Sequence, residues 1–191
     1  AAQHWLGRVT TPHRQDDDEH ALVAKSLRPE LRSLEVSDAF VRLGRTLAAV
    51  RVPGLAFVKE VQSDATEWVC EYVPGQSFSE LCQRAWHQGQ GVPVEVALGV
   101  GQAALAIASA AQKATDRAHG ALCAREVLIT AEGHVALTDH GLVNAVGAAG
   151  GRVDREGLAP ELGRADATTD VFGVAAIIYE ALAGAPPEPD A

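Results

Sequence analysis

In "LTDHG", residues 137–141, an aspartate closes an apolar, strand-like run and is followed by a ring-bearing residue and a glycine. A carboxylate at such a turn either ligates a cation or caps the backbone where the strand ends. Lys25 ends the strand-like "VAK", where an ammonium is either a solvated surface charge or a ligand for an anion. Glu126 is a second carboxylate able to meet a cation. His140, beside Asp139, has no nucleophile accompanying it, so it reads as a packing residue rather than a base. Two acids and an ammonium are groups that handle cations and anions, and they lie far apart along the chain. Whatever they do depends on the elements that bring them together.

The bulk properties narrow the classes. At 191 residues, with 47% hydrophobic and 21% charged residues, the chain can bury a core and does not have a disordered composition. A formal net charge of −9 argues against a nucleic-acid partner or an anionic membrane surface. Cys70, Cys82 and Cys123 are widely spaced and odd in number, which predicts reduced thiols and a cytoplasmic location, as such or as the cytoplasmic part of a larger protein. No run reaches the roughly 20 apolar residues of a membrane span; the longest, "VALGVGQAALAIASAA", is expected to be a buried helix, so no membrane contact is predicted. The opening "AAQHW" suggests a fragment of a longer chain.

The order of patterns predicts an α+β fold in two lobes. Residues 1–35 read as a hairpin whose solvated turn carries the acidic run Asp16 to Glu19. "SDAFVRLGRTLAAV", 37–50, starts at a Ser-Asp cap and puts Phe40, Leu43, Leu47 and Val50 on one helical face, ended by Pro53-Gly54. "LAFVKEV" and "TEWVCEYV" are strands, and Pro74-Gly75 is a break. After it come helices in "SFSELCQRAWHQ" and "PVEVALGVGQAALAIASAAQKA", a hairpin in "EVLITAEGHVALTD", a Gly/Ala-rich loop at 145–157 and a last helix, "TTDVFGVAAIIYEALAG". The expected division is 1–73 and 74–191, with a crevice between.

In that order, several motifs resemble those of the protein kinases, and specifically a degenerate bacterial Ser/Thr protein kinase homologue. "VAK" resembles the strand whose Lys contacts nucleotide phosphates, "CEYVPG" at 70–75 the hinge strand and its exit, "HGALCAREVLIT" the catalytic loop, "LTDHG" the D-F-G segment, "LAPE" at 158–161 the A-P-E, and the last helix the buried helix of the larger lobe. "HG" at 119–120 is also similar to the H-G-D loop of aminoglycoside phosphotransferases, but "LAPE" and Asp170 favour the protein kinases. The resemblance implies a nucleotide cleft lined by Lys25, Cys70, Glu71, Val73 and Asp139, with Val9, Ala24 and Leu128 sandwiching the ring and Asp139 as the candidate metal ligand.

The same resemblance implies that phosphotransfer has been lost. Ala121 stands where the base should be, Cys123 where a Lys contacts the transferred phosphate, Glu126 where an Asn ligates the second magnesium, and Leu43 where a Glu pairs with the strand Lys. Lys25 is therefore expected to lack its usual ion pair, with Glu35 a substitute. Ala2 and His4 replace glycines of the phosphate loop, and residues 140–160 contain no Ser, Thr or Tyr to phosphorylate, in step with Gly120 replacing the Arg that would receive the phosphate. The implied function is a pseudokinase module that binds another protein or a second copy of itself, needs no cofactor, and binds ATP weakly without help from magnesium. The alternative is an atypical active kinase using Asp139, Glu126 and Lys25 in rearranged roles. Because the chain stops soon after the helix 169–183, the larger lobe is expected to be partial, with Val171, Val174, Ala175, Ile177 and Ile178 only partly covered and Glu161 without its Arg partner. Apolar surface left open there, at about 25 cal/mol per Å², would favour association.

Overall fold

A computed structural model describes residues 7–13 (backbone only), 22–62, 67–151 and 166–187. Strands β1 (Gly7–His13) and β2 (Leu22–Leu27) form the expected antiparallel pair; the acidic run Asp16 to Glu19, and Ala2 and His4, lie outside the described residues. With β3 (Val58–Val61) and β4 (Glu67–Glu71) they make a four-stranded sheet in the order β1-β2-β4-β3. In β4 the alternation of "EWVCE" turns Trp68 and Cys70 to the inside, where Phe40 of helix α1 (Leu34–Ala48) stacks on Trp68 with centroids 4.2 Å apart. Gly44 makes this contact feasible, since a Cβ there would lie 2.4 Å from Trp68 Nε1.

Helix α1 begins a turn before the expected Ser37-Asp38 cap. Ser33 accepts a hydrogen bond from Val36 N at 3.3 Å, and starting there lets Val36 join Phe40, Leu43 and Leu47 on the buried face. The burial of one more apolar residue decides between the two caps.

A second sheet, in the order β5-β6-β7, is built from β5 (Gly75–Ser77), β6 (Val127–Thr130) and β7 (Val135–Leu137). The expected break at Pro74-Gly75 is thus the start of a short strand, whose Ser77 pairs with Leu128 and then caps helix α2 (Phe78–His87) in a reciprocal box with Glu80. Helix α3 (Val94–Thr115) is long and apolar enough, by length and composition, to cross a membrane, contrary to the expectation that no such run exists. Its small residues Ala97, Gly101, Ala104, Ala108 and Ala111 are buried, and it packs on helix α5 (Ala167–Ala183) and on β7, as a core helix does. A Cβ on Gly101 would meet Ile178 of α5 at 2.8 Å.

The Gly/Ala-rich segment expected to be a loop from residue 145 is helical over Leu142–Ala148 (α4). Leu142, Val143 and Val146 fall on one side of it and are buried, which outweighs the weak propensity of its glycine. They join a single apolar cluster with Phe40, Leu43, Leu47, Trp68, Ala121 and Cys123. A second cluster holds α2, α3, α5, β6 and β7 together through residues such as Phe78, Ala104, Leu122, Leu137 and Ile177. The loop after α1 reaches across to β7, with Ala56 N donating to Leu137 O (2.9 Å) and Leu137 N to Gly54 O (2.7 Å). The two lobes are therefore fastened on one side by backbone and on the other by the α1–α4 contact.

Candidate functional site

Three segments bring the scattered ionisable groups together: β2, the loop 118–126, and the turn after β7. Lys25 sits opposite Trp68 of β4 and Val9 of β1 in the sheet register, and its Nζ pairs directly with Asp139 Oδ1. The expectation that Lys25 lacks an ion pair is thus corrected. Leu43 is apolar and buried and Glu35 lies exposed in the first turn of α1, so the ammonium pairs instead with the acid in the turn after β7. Burial opposes the charge on Lys25, but the Asp139 carboxylate outweighs it and the pKa is raised.

Asp139 occupies a left-handed turn, φ 58°, a region that Asp tolerates better than most residues. Gly141 follows, also at positive φ, with its N–H donating to His119 O at 3.1 Å. Beside them Glu126 is 8% exposed, and the Thr138 hydroxyl donates to its Oε2 at 2.8 Å. Burial and the neighbouring Asp139 charge push the Glu126 carboxyl up to about 8, which favours its protonated form near neutrality. Thr138 was not foreseen as part of this group. The signal lay in the hairpin register, which carries Thr138 N back to Glu126 O at 3.1 Å and so sets the hydroxyl over the acid.

The two histidines are structural. His119 Nε2 donates to Thr138 O at 2.9 Å, and its ring meets that of His140 edge to face, centroids 5.6 Å apart. The Thr115 hydroxyl donates to Ala111 O at 2.8 Å, which leaves its oxygen to accept from His140 Nε2 at 3.2 Å. Asp170 of α5 holds the loop from below, accepting from His119 N (2.9 Å) and Gly120 N (2.8 Å).

Burial lowers the pKa of both rings to about 4. Each is therefore neutral when folded and charged when unfolded as pH falls from 6.5 towards 4, and stability declines over that window. Glu126 has the opposite sign, because the fold holds its proton more tightly than the unfolded chain does, so its contribution is lost as pH rises from 4.5 through 8. Asp170, whose pKa burial also raises, opposes the histidines in the acid range as Glu126 does. The histidines prevail on the approach to pH 6.5, where Asp170 is ionised in both states, and Glu126 dominates above it. The expected result is a stability maximum near pH 6.5, visible as urea midpoints lower at about pH 5 and about pH 8 than at about pH 6.5. A midpoint rising steadily from pH 5 to 8 would contradict this assignment.

The remaining expected cleft residues are positioned but not assembled around charge. Ala24, Val73 and Leu128 are half-buried, and Glu71 Oε2 accepts from Phe57 N at 3.5 Å, away from Lys25. Cys70 is buried close to Lys25 and Asp139, and burial pushes its thiol up to about 12; Cys123 is pushed up to about 11 in the same way, so neither is a nucleophile. Of Val9 only the backbone register is described, and the segment carrying "LAPE" and Glu161 lies outside the described residues. Magnesium needs open carboxylates with freedom to form an octahedral shell. Here Asp139 is taken by an ammonium, Glu126 carries a proton, and no group of three His, Cys, Asp or Glu among the described residues could hold a metal.

No family model and no curated protein matches the chain. Among solved structures it is similar to the Mycobacterium tuberculosis PknI kinase domain. A single-mutant form matches with a TM-score of 0.74 at 21% identity, over 98% of this chain and 72% of that one. The PknI kinase domain without mutation matches at 0.70 and 21%, over 96% and 74%, and a double-mutant form at 0.72 and 20%, also over 96% and 74%. The chain has the protein-kinase-like fold, α+β and two-lobed, and spans about three quarters of the length of those domains.

Proposed function

We propose that this chain is a pseudokinase module, a bacterial-type protein-kinase scaffold that no longer transfers phosphate and acts in the cytoplasm by binding another protein. One observation carries the reading. Ala121, Cys123 and Leu43, which align with the base, the phosphate-contacting lysine and the helix glutamate of active kinases, all belong to one buried apolar cluster with Leu142, Val143 and Val146. A missing charge alone could be supplied by a neighbour, but here the positions have been absorbed into the core that joins the lobes. Loss of a positioned general base by itself removes about 10²–10⁴ in rate.

The surface suited to a partner is the outer side of α5. Val174 and Ile177 turn inward and Ile178 packs on Gly101, while Val171 (54% exposed), Phe172, Ala175, Tyr179 and Leu182 stay open. The alternative reading, an atypical ATP-dependent Ser/Thr kinase, draws on the convergence of Lys25, Asp139 and Glu126. Labelled ATP with Mg²⁺ or Mn²⁺ and generic protein acceptors separates the two. No transfer is expected; metal-dependent transfer that disappears in Asp139→Ala would overturn the pseudokinase reading and establish the alternative.

A further inference from the structure

The ion pair between Lys25 and Asp139 joins the two lobes at the position where the resemblance puts a magnesium ligand. Lys25 comes from the middle of the first sheet and Asp139 from the turn after β7, 114 residues later in the chain. Both side chains are partly exposed, 19% and 23%, so a competing ion could reach them. Among the described residues the other acids near this position are less well placed: Leu43 is apolar, Glu35 lies in an exposed turn, Glu71 is hydrogen-bonded to Phe57, and Glu126 acts on the ammonium more weakly than Asp139 does. Glu126 accepts the Thr138 hydroxyl through Oε2 and lies near enough to Asp139 to feel its charge, so the two acids share one counter-charge, the Lys25 ammonium.

We propose that the Lys25 ammonium is the cleft's built-in cation, standing against Asp139 in place of a divalent metal, so that the closed arrangement of the lobes is reached without metal or nucleotide. In an active kinase the corresponding lysine and metal act together on one nucleotide; here they compete for one carboxylate. The counterintuitive consequence is that removing the lysine creates a metal site. Lys25→Met leaves the Asp139 carboxylate without its cation, and a divalent ion is then the way to neutralise it. Removing a unit positive charge a few ångströms from the site strengthens cation binding by at least ~10-fold.

The test is titration with Mn²⁺ alone, followed by electron paramagnetic resonance of the free ion, on the wild type, Asp139→Asn, Lys25→Met, Lys25→Arg and the double variant Lys25→Met/Asp139→Asn. The wild type and Lys25→Arg should show no saturable binding, Lys25→Met should gain a site, and the double variant should lose it. Saturable Mn²⁺ binding by the wild type that Asp139→Asn abolishes would overturn the inference, and so would a folded Lys25→Met with no gain. If Lys25→Met does not fold, the wild-type and Asp139→Asn titrations decide alone. Wild-type Mn²⁺ binding without phosphotransfer would sink this inference and leave the pseudokinase reading standing, so the two fail separately.

Discussion

Replacing Asp170 by alanine is expected to lower the free energy of unfolding by about 3 kcal/mol, seen as a clear drop in the urea midpoint. The carboxylate is 3% exposed and accepts two backbone N–H groups, from His119 and Gly120, which are themselves buried. Burial raises the pKa of Asp170 and the two donors oppose that rise. Alanine leaves both N–H groups without acceptors inside the fold, at about 1–3 kcal/mol each. Asp170→Asn keeps one acceptor oxygen and should fall between alanine and the wild type. The damage also reaches the cleft. The loop that Asp170 holds carries the His119 ring, whose Nε2 grips Thr138 O one residue before Asp139, so the Lys25–Asp139 pair should loosen as well. A change below about 1 kcal/mol in the alanine variant would show that water or another group satisfies the loop.

What was legible in the sequence had local causes. The alternation in "EWVCE", the helical spacing of Phe40, Leu43 and Leu47, and the order of kinase-like motifs each depend on neighbours within a few residues, and the fold follows them. The failures share a different origin. The sequence points to α1 for the partner of Lys25, at the position Leu43 occupies, whereas the actual partner is Asp139, brought to it by the packing of one lobe on the other. The second half of helix α4 looked like a loop because it runs into the Gly/Ala-rich segment 145–157, and its packing on α1 favours the helix. The proton on Glu126 is a property of burial and of one neighbouring carboxylate, neither of which has a sequence signature. Local propensity is readable; charge state and long-range pairing depend on the finished fold.

Restoring the family's glutamate tests whether the lost chemistry is latent or has been packed away. Leu43→Glu is expected to destabilise the protein by about 3–5 kcal/mol and to restore no phosphotransfer. Leu43 is 2% exposed, lies in the cluster with Phe40, Leu142 and Val146, and its Cδ1 would be 3.4 Å from a Cβ at Gly141. A carboxylate placed there must either be protonated or find a cation, and Lys25 is the cation nearest to the site's existing acids. If Lys25 turned to the new acid, Asp139 would be left unpaired beside Glu126; if it stayed, the new acid would be buried alone. One ammonium cannot neutralise both, so either arrangement loses stability. Leu43→Met, which conserves volume and polarity, should cost less than about 1.5 kcal/mol and serves as the control for packing. A glutamate variant as stable as the wild type, with strong coupling to Lys25→Met in a double-mutant cycle, would mean that the ion pair of an active kinase still fits this fold. Loss in the glutamate variant with little coupling would mean that α1 is tied to the cleft by apolar contact through α4, and that the charge at this position has been designed out of the scaffold rather than merely mislaid.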